Sequence, residues 1–261
     1  MPPALPCLIP DWPGLPANVG ALATMRAGGV SQGPYGDGQG GAGLNLGTHV
    51  GDDPAHVAAN RARLSAMLPA QPAWLSQVHG VAVADAASVH GCLPDADASV
   101  ATQAGAVCVV MTADCLPVLF SSSDGQVVGA AHAGWRGLAN GVLQRTVDSM
   151  RAQGAGEILA WLGPAIGPQQ FEVGQDVLQA FRDGARDAAE RQVLSDAFAA
   201  IAGKPGKYLA DIYALARTML LRDGVVRVAG GQYCTVSDAA QFYSYRRDGV
   251  TGRQASLIWR K

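Results

Sequence analysis

The fold class this sequence predicts is an α/β (α+β) single domain spanning residues 1–261, with mixed β-sheet layers flanked by helices. Three observations lead there. Several continuous apolar runs have strand length, helix-period segments fall between them, and 49% of the 261 residues are apolar against 15% charged. Runs that are apolar throughout suit strands buried on both faces. A chain of this composition can bury a sizeable core.

Residues 1–19 form a proline-rich N-terminal segment. "MPPALPCLIPDWPGLP" has no charged start followed by a long apolar stretch, so it does not read as a secretory signal, and a cytoplasmic location is expected. Residues 28–47 are glycine-rich and loop-like, and a loop of that length is uncommon in a domain unless it serves a function or moves. Asp53 and Pro54 then supply the N-cap and first turn of a helix with apolar residues at 57, 58, 64, 67 and 68. "AWLSQVHGVAVADA" reads as strand on both sides of His79.

"AGAVCVVMT" and "LPVLFS" are buried strands, and the "SSDGQ" turn pairs the second with "VVGAAH" as a hairpin. Residues 136–154 carry a helical period, with apolar positions at 138, 139, 142, 143, 147 and 150. "EILAWLG" is another strand, "PAIGPQQFEVG" a loop, and helices are expected at 175–183 and 208–222, the second closed by Gly224. The tail "FYSYRRDGVTGRQASLIWR" reads as a terminal hairpin turning at Asp248-Gly249.

Several function classes are disfavoured. Net charge is −2 and no basic block occurs, which argues against nucleic acid or an anionic membrane surface as partner. No apolar run approaches the length of a membrane span. Five cysteines (7, 92, 108, 115 and 234) contain no CxxC pair, and without an export signal they are expected as reduced thiols.

The candidate chemistry lies in a few polar residues set into apolar surroundings. His56 and His90 read as solvated, and His49 in "GTHVGDD" could lie near a site but has no marked context. His79 and His132 end or interrupt strands and are followed by glycine at once or two residues on, where a close approach or an unusual φ is possible. Cys115, flanked by Asp114, sits between two apolar runs. A free cysteine is usually a small buried hydrophobe, the reading given to Cys7 and Cys108. Separations of 36 and 17 residues match no local zinc motif. Two imidazoles and a thiolate can nonetheless supply three tetrahedral ligands and leave one position open, the arrangement of a catalytic zinc. Asp114 could orient a ligand histidine or cap a turn. Arg26, Arg136 and the pair Arg246-Arg247 are candidate anion binders. The glycine run matches neither GxxxxGK[ST] nor GxGxxG, so it is not a nucleotide loop of either kind.

"RAGGVSQGPYG…LNLGTHVGDD…NR", "QVHG", "DADA", "TADCLPVLF", "AAHAGWRG", "GPAIGP…FEVG" and "FYSYRRDGVTGRQ" resemble, in order, the bacterial laccase-domain proteins. That family was first described as polyphenol oxidases and later as zinc-dependent purine nucleoside phosphorylases. The resemblance runs from about residue 20 to the C-terminus. It implies a layered laccase-like, cytotoxic-necrotizing-factor-like fold and a metal, Zn²⁺ with copper possible, on His79, Cys115 and His132. It also implies phosphorolysis of adenosine, inosine, guanosine and methylthioadenosine, with deamination of adenosine. Arg26, Ser31, Asn45 and Gln77 fall in stretches that match the family's pocket loops. With Asp114 and Arg136 they are the candidate substrate residues. Purine nucleosides and phosphate are the expected partners, and a monomer or weak homo-oligomer the expected state. One departure is "YGDGQGGAG", longer and richer in glycine than the family pattern.

Three rival chemistries remain open at this point. A copper polyphenol oxidase would need more imidazoles than five histidines for a multicopper centre, though a single His₂Cys copper with a weak ligand such as Met111 is conceivable. A cysteine hydrolase would use Cys115 as nucleophile and His132 as base. An editing role on peptidoglycan precursors is the third.

Overall fold

The computed structural model describes residues 5–89, 91 and 93–261. The readings made for His90 and Cys92 therefore lie outside the described residues. Two sheets organise the chain. The first has five strands in the order Cys7–Leu8, Val19–Thr24, Gln254–Arg260, Val107–Thr112, Pro72–Ala73. The second has six, in the order Arg227–Gly230, Ile158–Leu162, Leu116–Ser122, Val128–Ala133, Ala98–Ala101, Val83–Asp85. Both are mixed: the last pair of each, and the pair Ile158–Leu162 with Arg227–Gly230, run parallel while the others run antiparallel. A small antiparallel sheet joins Glu172–Gly174, Lys207–Ala210 and Phe198–Ala200.

Side-chain alternation explains why the central strands are apolar throughout. From Val107–Thr112, Cys108 and Val110 point between the two large sheets, against Leu119, Val128, Ala130, Leu159 and Trp161 of the other sheet. Val107, Val109 and Met111 point the other way, toward Leu44, Leu46 and Leu64 of the outer layer. In the six-stranded sheet Leu116, Val118 and Phe120 face outward onto Leu143, Val147, Leu215 and Met219 of two covering helices. Strands covered on both faces leave no position for a polar alternation. The result is a layered α+β fold with helices outside and a sheet–sheet core within.

The expected hairpin forms, with Leu116 opposite Ala133 and Ser121 opposite Val128. The expected helix at the Asp53 cap runs Pro54–Ser65, with the Asp53 carboxylate accepting from the Ala55 N–H. Five readings need correction. The tail is not a hairpin: Tyr245–Asp248 is a short helix and Gln254–Arg260 lies between Val19–Thr24 and Val107–Thr112 in the five-stranded sheet. Phe242 and Tyr243, just before that short helix, are fully buried. The 136–154 helix is two, Trp135–Ala139 and Val142–Ala152, because Gly141 takes a left-handed φ of 93°. Residues 207–210 are strand, and Asp211 starts Ile212–Arg222 by accepting from the N–H groups of Tyr213 and Ala214. The loop read at 164–174 ends in the strand Glu172–Gly174, and residues 74–82 around His79 are not strand. The helix Ala188–Asp196 was not anticipated. The proline-rich segment is tied down by the Cys7–Leu8 pairing and by Trp12, which is buried between the sheets. No helix among the described residues is long and apolar enough to cross a membrane.

Candidate metal centre and its cavity

Two of the three candidate donors lie where the chain passes from one large sheet to the other. His79 lies between Pro72–Ala73 of the first sheet and Val83–Asp85 of the second. Cys115 lies between Val107–Thr112 of the first and Leu116–Ser122 of the second. His132 is the penultimate residue of Val128–Ala133, paired with Pro117 just beyond Cys115. A nitrogen or sulfur from each of the three lies within 4.8 Å of the others. The sandwich end, where the sheets exchange strands, thus gathers residues far apart along the chain.

One buried carboxylate holds two of the donors in place. Asp97 accepts from the backbone N–H groups of Val78 (3.1 Å), His79 (3.0 Å) and Gly80 (2.6 Å), and its Oδ1 lies 2.7 Å from His132 Nδ1. The His79 loop is therefore wrapped around the same group that fixes the His132 ring and leaves Nε2 as that ring's free nitrogen. Local strain concentrates here as well. Among the described residues only His79 (φ 59°) and Asp114 (φ 93°) are non-glycines with left-handed backbone, a conformation that costs about 1–3 kcal/mol and persists where surrounding contacts enforce it. The glycines after the histidines do not supply that φ. Gly80 provides an N–H to Asp97, and Gly134 provides space: a Cβ there would stand 2.7 Å from His79 Nδ1 and 3.0 Å from Cys115 Sγ.

The electrostatics follow from this crowding. Burial pulls the His132 imidazole down, but the Cys115 thiolate and the Asp97 carboxylate outweigh it and push it up to about 9. His79, exposed at the cavity mouth, is lowered by partial desolvation and by the neighbouring His132. Burial raises the Asp97 carboxyl, yet the bonds from His132 and Gly80 leave it below the usual range. The donor set fits a metal ion: a thiolate and two imidazoles converge, one ring is fixed by a carboxylate behind it, and the space between them is kept clear by Gly134.

The donors open on a cavity of about 700 Å³. Of the candidate substrate residues, Gln77, Asp114 and Arg136 line it, and Arg26, Ser31 and Asn45 do not. Gln77 spends both ends of its amide on Met111, accepting from its N–H and donating to its carbonyl, each at 2.8 Å. Asp114 makes no hydrogen bond to either candidate ligand, His79 or His132. It accepts from Thr235 Oγ1 and from the Arg246 N–H, each at 2.6 Å, so the orienting role considered for it belongs to Asp97. Arg26 is 5% exposed and its three guanidinium nitrogens all donate to carbonyls of Gly36 and Ala239. A guanidinium so occupied is scaffolding for the glycine-rich loop. Ser31 and Asn45 are fully buried and share the Asp52 carboxylate, while Asn60 donates to both segments.

Arg61 and Arg253, which the sequence reading does not single out, also line the cavity, together with His49 and the aromatic rings of Trp135, Phe171 and Tyr245. Arg136 lies over the Trp135 ring at 4.4 Å and Arg246 over Phe171 at 5.8 Å. Asp97, Arg61 and Arg253 stand inside stretches that carried the family resemblance ("DADA", "NR", "TGRQ"), but their chemistry is visible only in the contacts.

Residues 20–261 match the family described as multi-copper polyphenol oxidoreductase laccase. A purine nucleoside phosphorylase of Pseudomonas aeruginosa is 52% identical over 252 residues, which cover 97% of each chain. The purine nucleoside phosphorylase YfiH of Escherichia coli is 50% identical over 254 residues, 97% of this chain and 98% of that one. Among solved structures, a Neisseria meningitidis protein superposes with a TM-score of 0.88 at 50% identity over 98% of this chain and 99% of its own. YlmD from Geobacillus stearothermophilus gives 0.82 at 31% identity, covering 98% and 100%.

Proposed function

The chain belongs to the multi-copper polyphenol oxidoreductase laccase family, and from that membership and the cavity's geometry we infer that it is a zinc-dependent purine nucleoside phosphorylase. The observation that carries the reading is the convergence of His79, Cys115 and His132 on one point of a cavity that also holds aromatic and cationic side chains. The names of its relatives point the same way. A cavity of about 700 Å³ lies in the range that encloses a small ligand.

Trp135, Phe171 and Tyr245 offer ring faces against which a flat purine can stack, with Arg136 and Arg246 beside them. In phosphorolysis a phosphate oxygen bonds to C1′ of the ribose as the C1′–N9 bond breaks. The electron pair leaves with the base, and the proton the base gains balances the one given up by phosphate. Charge of opposite sign develops on sugar and base, so fixed groups around both contribute most in the transition state. Asp97 keeps the His79 and His132 rings oriented, and Gly134 keeps the approach to them open. Zinc, when bound, supplies a Lewis-acidic centre that brings the pKa of water toward neutrality. That chemistry also suits hydrolytic deamination, which exchanges the C6 amine of adenosine for oxygen from water and releases ammonia. Adenosine, inosine, guanosine and methylthioadenosine are the proposed substrates.

The test is metal analysis of protein purified without added metal, together with release of ribose 1-phosphate and hypoxanthine from inosine. About one zinc per chain with phosphate-dependent release supports the reading, since a His₂Cys donor set holds a single ion. A zinc-loaded protein that releases none overturns it. The family's description favours copper chemistry as the second reading, and Met111 lines the same cavity. That reading requires an intensely coloured oxidised protein. Activity abolished by thiol alkylation but indifferent to chelators would instead favour Cys115 as a nucleophile.

A further inference from the structure

A buried cation without a counter-charge is costly, so an arginine left unpaired inside a cavity marks a place where an anion belongs. Arg61 and Arg253 are two such residues. Both are half-buried and line the cavity, and neither is in an ion pair among the described residues. Burial lowers the Arg61 guanidinium to about 10 and lowers Arg253 too, the strain expected of unpaired charge. Each is aimed by a few contacts that leave other nitrogens unspent. Arg61 lies over the Trp74 ring at 3.9 Å, donates through Nε to the Leu46 carbonyl and through Nη2 toward Met111 Sδ, and has Nη1 unspent. Arg253 donates through Nη1 to the Thr251 and Gly252 carbonyls, leaving Nε and Nη2.

The two are anchored to one short segment. The Arg253 N–H donates to Asn45 Oδ1 and its carbonyl accepts from the Leu46 N–H, while Arg61 holds the Leu46 carbonyl. That segment continues into Thr48 and His49, which also line the cavity. His49 feels the positive charge of both arginines. Arg253 lines the same cavity as Cys115 and Asp114, beside the candidate metal centre. The forked N–H groups of two guanidinium ions suit a tetrahedral oxyanion with several acceptor oxygens.

We propose that Arg61 and Arg253, with His49, form the subsite that holds inorganic phosphate for attack on the nucleoside. The subsite rests on the phosphorylase reading, and it replaces Arg26, whose nitrogens are already taken. The experiment measures phosphate and inosine KM, metal content, and direct binding of inorganic phosphate to metal-free full-length protein by calorimetry. Arg61→Gln and Arg253→Gln are each expected to raise the phosphate KM and the phosphate Kd by about 10-fold or more, as loss of a charge-assisted bond requires. Inosine KM and metal content should stay near those of the parent protein. Arg61→Lys, which keeps the charge and disturbs packing least, should recover part of the loss. Unchanged phosphate KM and Kd in both glutamine variants overturn the subsite, and so does phosphate binding that requires the metal. If no protein forms ribose 1-phosphate, the phosphorylase reading falls by itself. Phosphate binding to the metal-free proteins then still decides the subsite: weakened in the glutamine variants it stands, unchanged it falls.

Discussion

The glycine-rich loop region holds the buried Arg26 and the cavity at the sandwich end the half-buried Arg61 and Arg253, and the two use their arginines in opposite ways. In the first, Arg26 has every nitrogen committed to carbonyls of Gly36 and Ala239, and Ser31, Asn45, Asn60 and Asp52 bond to one another in a separate closed network. In the second, Arg61 and Arg253 keep unspent donors, and three metal-type donors converge where Gly134 lacks a side chain. Satisfied polar groups report on folding. Unsatisfied ones aimed into a cavity report on a ligand.

The contrast can be broken by substitution, and the largest effect is expected in the cavity. His79→Ala should lose metal and reduce turnover to background while the fold survives, because the loop is held through the backbone N–H groups of Val78, His79 and Gly80 on Asp97, which the substitution leaves in place. Retained metal together with retained turnover, read by metal analysis and ribose 1-phosphate release, would remove His79 from the centre. Asp97→Asn comes next. It keeps the shape but weakens the hold on His132 and the His79 loop, and metal affinity should fall by about 10–100-fold in a chelator competition titration. Gly134→Ala should act in the same direction and more weakly, since the added methyl meets His79 Nδ1 at 2.7 Å in a backbone conformation any residue adopts.

On the other side, Arg26→Gln should cost about 3 kcal/mol of stability by leaving buried carbonyls unpaired, seen as a melting temperature lower by roughly 5–10 °C. The folded fraction should bind phosphate and turn over as before. A specific loss of phosphate affinity at unchanged melting temperature would reverse the comparison. Ser31→Ala is the smallest, about 1 kcal/mol with no kinetic effect, because it removes one member of the Asp52 and Asn60 network.

Much of this was readable along the chain, and the failures share a cause. The 116–133 hairpin, the Asp53 helix and the buried strands follow from turn chemistry, capping and apolar runs, all local. The tail reads as a hairpin because Asp248-Gly249 is a local turn signal, whereas Gln254–Arg260 pairs with Val19–Thr24 near the N-terminus and with Val107–Thr112 in mid-chain, partners that nothing nearby in sequence announces. His79, Cys115 and His132 were singled out as candidate donors by residue type and by resemblance. Asp97, Arg61 and Arg253 passed unnoticed beside motifs already in view, because a carboxylate or a guanidinium declares its role only through its partners.

The order of residues alone determined which donors exist, which segments must be buried and how the chain is cut into strands and helices, since propensity and apolar pattern act over a few residues. Only the tertiary structure decided which polar groups meet one another and which are left facing a cavity. Hydrogen bonds and charge pairs are won or lost between segments that the sequence keeps far apart, as where two sheet crossovers and a strand end converge beside Asp97.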